Sequence, residues 1–119
     1  MSINKDYYVI AGYDLAGQKT ERFEDWKWTE EGEKFTSYQR KGYVQIFDDP
    51  MSGEHLYFGY ILAHGDQYEC PTHKIEIGII EAVRNEVENQ LQELIELGVI
   101  SENCRAFDSY KILAFEECS

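Results

Sequence analysis

Two histidines and a cysteine near the middle of the chain are the residues best suited to chemistry. Cys70 and His73 have the two-residue gap by which neighbouring thiolate and imidazole groups grip one zinc ion, and His64 lies just upstream. A structural zinc site needs four ligands, and no second pair of this kind lies at a usual distance. We therefore interpret the segment as a polar loop and predict no bound metal and no other cofactor.

The same residues support a different hypothesis, a small enzyme or metal-dependent protein that uses His64, Cys70 and His73. A nucleophilic cysteine needs a neighbouring base that lowers its pKa, and the two histidines flank Cys70 in the sequence. No local signature of a known cysteine enzyme surrounds it. This hypothesis is the alternative to a protein without enzymatic activity.

Carboxylates and glycines do not indicate a particular reaction. Adjacent acids such as Asp48-Asp49 and Glu30-Glu31 are so frequent that no pair stands out as a hydrolytic or divalent-cation site. Glycine-rich phosphate-binding motifs are absent from the sequence, so nucleotide-dependent chemistry is not expected. These observations favour a non-enzymatic function.

Charge restricts the partners that the chain can bind. Its 23 acidic and 11 basic residues give a formal net charge of −12, which repels phosphate backbones and anionic lipid headgroups. This charge leads us to expect no direct nucleic-acid binding. We also expect no membrane binding, because no apolar stretch approaches the roughly 18 residues of a membrane span. Three cysteines without the spacing of a disulfide framework favour reduced thiols and a cytoplasmic location.

The pattern of apolar residues predicts a single α+β domain over residues 1–119. Runs rich in β-branched and aromatic residues at 6–13, 42–47, 55–63 and 110–115 predict strands. Pro50 and Gly53 predict a hairpin between the second and third of these strands. Because residues 55–63 are apolar on both faces, we place that strand inside a mostly antiparallel sheet of about four to six strands.

One long amphipathic helix is predicted to cover one face of this sheet. From Ile80 onward the apolar residues follow the helical period, and Gly98 supplies a left-handed stop beyond which residues 99–100 can fold back. The apolar stripe consists of Ile80, Val83, Val87, Leu91, Leu94 and Ile95. Residues 26–29 and 35–38 suggest a hairpin, and a short helix over 21–27 is the alternative because Phe23 and Trp26 are three apart.

Aromatic residues are numerous for one small core, with nine Tyr, six Phe and two Trp. Either the helix and loops cover these rings, or some of the rings point outward and contact a partner. Unpaired sheet edges and surplus rings also predict self-association as a homodimer. The candidate partner-binding residues are Trp26, Trp28, Glu81, Glu88 and Glu96.

Two stretches, Asp25-Trp26-Lys27-Trp28 and the segment from Asp48-Asp49-Pro50 to Phe58-Gly59-Tyr60, resemble small uncharacterised proteins of phages and prophages of Gram-positive bacteria. The resemblance covers most of residues 5–64 and brings no activity or catalytic residue with it. It implies a role in host takeover or phage regulation. We therefore predict a domain that binds a host or phage protein through its acidic and aromatic surface, with nucleic-acid mimicry as a more specific form.

Overall fold

Four strands and four helical segments make up the described part of this computed structural model, which covers residues 5–37, 40–48, 55–66, 72–104 and 109–118. In chain order they are β1 (Lys5–Asp14), α1 (Phe23–Lys27), α2 (Glu30–Thr36), β2 (Val44–Asp48), β3 (Leu56–Asp66), α3 (Ile77–Ala82), α4 (Arg84–Glu96) and β4 (Lys111–Cys118). This arrangement confirms the predicted α+β class.

The four strands form one sheet in the order β2-β3-β1-β4, and every neighbouring pair is antiparallel. The predicted central position of β3 is confirmed, as is its antiparallel pairing with β2. The predicted turn at residues 49–54 lies outside the described residues. Val9 pairs with Ala63 and Ile10 with Ile61, so Leu62 is an extra residue that bulges from β3.

The predicted long helix is confirmed as a bent helix in which α3 and α4 meet at Val83. Its stripe of Val87, Leu91 and Leu94 is buried against the sheet. The helix ends where predicted, because Gly98 adopts the left-handed conformation with a φ of 79°. Val99 and Ile100 then fold back and are buried, at 2% and 1% exposure.

The hairpin suggested around residues 30–33 is wrong, because this region forms α1 and α2. The side chain of Thr29 accepts a hydrogen bond from the Gly32 backbone N–H at 3.2 Å and so caps the start of α2. Acids in the first turn add favourable interactions with the helix dipole. The alternative is confirmed over Phe23–Lys27, where Phe23 and Trp26 are both buried.

The two sides of the sheet differ. On one side the helices pack over strand residues such as Tyr13, Ile46 and Phe58. On the other side the described cluster consists of strand residues alone, centred on Tyr8 and Phe47, whose ring centroids are 4.6 Å apart. We call the helix-covered side, with residues 21–36 and 77–96, the helical layer.

Candidate functional site

The helical layer carries most of the excess negative charge. Residues 21–36 and 77–96 contain eleven acidic and four basic residues, a formal charge of −7 out of the −12 of the whole chain. The apolar positions of these helices face the sheet, so their acids lie on the outer surface. Charge that looks evenly spread along the sequence is therefore concentrated on one side of the fold.

A groove of about 400 Å³ runs between α2 and α4 above the start of β2. Its described lining consists of Lys34, Phe35, Gly42, Tyr43, Val44, Gln45, Glu86, Gln90 and Glu93. We call it the α2–α4 groove. One wall is acidic and the other side carries two aromatic rings, with Tyr43 exposed at 36%. A groove with these walls suits a side chain that has an apolar stem and a positive end.

Glu86 and Glu93 form the acidic wall of the groove. They lie two helical turns apart on α4, about 10 Å along its axis. Gln90 lies between them and donates a hydrogen bond to Glu86, with 3.3 Å between Nε2 and Oε1. Neither glutamate forms an ion pair with a described residue, and both side chains are exposed.

The three glutamates predicted from the sequence lie elsewhere on the bent helix, and two of them already interact with Arg84. Glu81 is 3.6 Å and Glu88 is 3.2 Å from the Arg84 guanidinium, and the hydrogen bond that Arg84 donates to Glu88 raises the pKa of Arg84. Glu96 is exposed and accepts a hydrogen bond from Gln92 at 3.5 Å. The sequence analysis missed Glu86 and Glu93, because only their place beside α2 in the folded chain distinguishes them from the other acids of the helix.

The two tryptophans have different environments. Trp28 is 75% exposed, and the ammonium of Lys27 lies 5.3 Å from its ring centroid. Lys27 is held in turn by Glu24 and Asp48, each at 3.1 Å. Trp26 is only 9% exposed and packs between Phe23 and Phe35. Trp28 can contact a partner directly, whereas Trp26 belongs to the core.

The structure does not bring His64 and His73 together. The His64 ring stacks on Tyr8 with centroids 4.4 Å apart, and its Nε2 lies 3.3 Å from the Asp6 carboxylate. His73 instead makes a 3.0 Å hydrogen bond through Nε2 with the hydroxyl of Tyr7. Consecutive strand residues point to opposite faces of a sheet, so the two imidazoles lie on opposite sides.

The third residue of the alternative hypothesis, Cys70, lies outside the described residues. Within the described ranges, no group of three or more His, Cys, Asp or Glu side chains is placed to hold a metal ion. Cys104, which follows α4 in the chain, is buried in the core. Its position in the core indicates a packing role.

Comparison with known proteins finds no match: no protein-family model matches the chain, and no curated protein or solved structure is significantly similar to it. Among the described helices, none combines the length and the apolar character needed to cross a membrane.

Proposed function

We propose that this chain is a non-enzymatic, cytoplasmic protein-interaction domain of phage or prophage origin that binds a basic region of a host or phage protein through its helical layer. The observation that carries the proposal is the α2–α4 groove, where Glu86 and Glu93 stand without ionic partners among the described residues opposite aromatic rings. A lysine or arginine of the partner can lay its stem on the rings and place its charge at the carboxylates.

Electrostatics and packing have separate roles in this interaction. The formal charge of −7 on the helical layer attracts a basic surface over a long range and so raises the association rate. The exposed ring of Trp28 is a rigid anchor whose burial slows dissociation. Trp26 supports this surface from inside the core and does not contact the partner.

Nucleic-acid mimicry is the more specific form of the proposal. Carboxylates on the outer face of the helices replace the phosphates that the partner's basic groove ordinarily binds. Duplex DNA or RNA then competes with this chain for the partner, although the chain itself binds neither. A partner that retains nucleic acid and the chain at once contradicts mimicry without contradicting protein binding.

An affinity capture experiment tests the proposal. The whole chain is immobilised and exposed to a lysate of a Gram-positive bacterium at about 50 and about 300 mM salt, since exposed charge attraction is screened over this range. The variant Glu86→Gln/Glu93→Gln removes the acidic wall. The control, Glu102→Gln/Glu116→Gln, removes two exposed carboxylates outside the helical layer. We expect the wild type and the control to retain a basic protein, which mass spectrometry identifies. The Glu86→Gln/Glu93→Gln variant should not retain it.

Association and dissociation rates measured with that purified protein test the separate roles of the acidic residues and of Trp28. Trp26→Phe leaves Trp28 as the single indole, since the chain has two tryptophans, and its emission reports binding. In this background Glu86→Gln/Glu93→Gln should slow association, and Leu97→Ala, a change at an exposed residue past α4, should change neither rate. In a labelled chain, Trp28→Ala should speed dissociation. Binding that ignores both salt and the groove variant contradicts the proposal.

A further inference from the structure

A second cavity, of about 230 Å³, lies on the same side of the sheet between β3 and the start of α3. Apolar walls come from Tyr60 and Leu62 on β3 and from Ile75 and Ile79 on the bent-helix side. Lys41, Lys74 and Glu76 also line it. The cavity shares no described lining residue with the α2–α4 groove.

The cavity lies beside an irregular part of the sheet. Val44 and Tyr60 are the last regular pair of β2 and β3, and beyond them the Ile61 N–H donates to the Tyr43 carbonyl while the Gly42 N–H donates to the Ile61 carbonyl. Gly42 has a φ of 95°, and Lys41 just before it lines the cavity. Along β3, the bulge at Leu62 follows immediately. The side chain of Leu62 then packs with Ala11 and Val83 under the bent helix and forms part of the apolar wall.

The charge of the cavity is opposite to that of the chain. Lys41 and Lys74, two of the 11 basic residues of the chain, both line the cavity, and Glu76 is the single described acid in its lining. Neither Lys41 nor Lys74 forms an ion pair with a described residue. Three other cations are already paired with carboxylates: Lys19 and Lys27 both bind Asp48, and Arg84 binds Glu88. No carboxylate in the described part of the chain neutralises the two cavity lysines, so they can neutralise a bound anion.

We propose that this cavity binds a small organic carboxylate with an aromatic or branched aliphatic body. The lysines take the carboxylate, and Leu62, Ile75 and Ile79 enclose the apolar body, the combination of apolar walls and few convergent polar groups typical of ligand sites. The volume lies below the roughly 300–1,000 Å³ of drug-sized pockets and so selects a ligand of about the size of benzoate.

Titration of the ¹⁵N-labelled whole chain with three probes tests the site. Benzoate has both the ring and the charge, benzyl alcohol has the ring without the charge, and inorganic phosphate has the charge without the ring. We expect saturable amide shifts with benzoate at the lining residues and clearly weaker binding of benzyl alcohol. Phosphate should produce no saturable shift there, because it cannot use the apolar walls.

Charge-removing variants assign the binding to the two lysines. Lys41→Met and Lys74→Met should each weaken benzoate binding about twofold to fivefold, the range of a partly exposed ion pair. Both side chains are exposed, so these variants should fold. Lys34→Met removes an exposed lysine of the α2–α4 groove and is the matched control, which should leave benzoate binding unchanged. Glu86→Gln/Glu93→Gln changes the proposed partner surface and should also leave benzoate binding unchanged.

Several outcomes would overturn the proposal. They are the absence of saturable benzoate shifts, equal affinity for benzoate and benzyl alcohol, and saturable binding of phosphate at the same residues. Unchanged benzoate affinity in both cavity-lysine variants, or equal weakening by Lys34→Met, would also overturn it. Failure of protein-partner capture has no bearing on any of these measurements.

Discussion

The hydroxyl of Tyr13 on β1 donates a hydrogen bond to the carboxylate of Glu88 on α4, with 3.2 Å between the oxygens. The same carboxylate oxygen accepts from Nε of Arg84, also at 3.2 Å. Arg84 in turn lies over the ring of Tyr110, 5.2 Å from its centroid. Glu88 therefore fastens the helix to the sheet, which explains why it is less available to a partner than Glu86.

A double-mutant cycle tests this contact. With Tyr13→Phe, Glu88→Gln and the double variant, urea unfolding should yield a coupling free energy of about 1.5–3 kcal/mol, the usual contribution of a hydrogen bond to a charged group. Additive effects of the two changes would show that the contact contributes nothing. In partner binding, Glu88→Gln should have a smaller effect than Glu86→Gln.

Leu91→Ala tests the packing of α4 on the sheet. Leu91 is fully buried among residues of the sheet and α1, so its truncation leaves a cavity and should lower the free energy of unfolding by about 2–5 kcal/mol. Asn89→Ala, at an exposed position of the same helix, is the control and should change it little. A loss below about 0.5 kcal/mol for Leu91→Ala would contradict the observed packing.

Gly12 and Gly78 form a matched pair of glycines in different surroundings. A Cβ at Gly12 would meet the carbonyl oxygen of Phe58 and the Cα of Gly59, which are backbone atoms of β3. Gly12→Ala should therefore destabilise the chain by about 1–3 kcal/mol or more. Gly78 has open space and lies in α3, so Gly78→Ala should stabilise it by about 0.4–1 kcal/mol. Equal midpoints of urea unfolding for the two variants would contradict this account.

Sequence reasoning succeeded where the signal was local. The runs that became β1 and β3 and the stop at Gly98 depend on neighbouring residues, and the structure confirms them. The segment around Gly32 was misread as a turn because glycine and glutamates also suit one. The sequence signal for the helix was Thr29, which caps α2. The glycine is explained by the close approach of Gly32 to the Lys27 backbone, which leaves no room for a side chain.

The candidate site could not be predicted in the same way. Glu86 and Glu93 have the same local sequence character as Glu81 and Glu96, and only the packing of α2 beside α4 distinguishes them. Likewise, Lys41 and Lys74 are 33 positions apart in the chain and become neighbours of one cavity through the sheet. Side-chain pattern shows which face of a helix is apolar, but not which other element that helix lies against.

Ionisation of Tyr8 should lower the free energy of unfolding at alkaline pH. Burial, with smaller effects of the Asp6 and Glu117 charges, raises the pKa of Tyr8 from 10.0 to about 12. The folded state thus favours the protonated phenol, and this contribution is complete below pH 10 and is lost as the pH rises towards about 12. Urea midpoints should fall over this window, and less steeply in Tyr8→Phe. A Tyr8→Phe slope equal to that of the wild type would contradict this account.

Self-association is expected to use the β4 edge of the sheet. β4 has β1 on one side and no described strand on the other, and its Ile112 is 49% exposed. Edge strands with exposed apolar residues pair with copies of themselves, and a twofold axis between two β4 strands extends the sheet across a homodimer. Sedimentation velocity at high micromolar concentration should detect this dimer.

Ile112→Lys should shift the chain to monomer, because an edge lysine brings charge to a strand that would otherwise pair. Ile77→Lys changes the same residue type at an 85% exposed position in α3 and should leave the dimer intact. Each chain carries a charge of −12, so repulsion between copies is screened by salt and the dimer should strengthen as salt rises. Capture of a basic partner depends on electrostatic attraction and should weaken as the salt concentration rises. A monomeric wild type, or an equal effect of Ile77→Lys, would contradict dimerisation through β4.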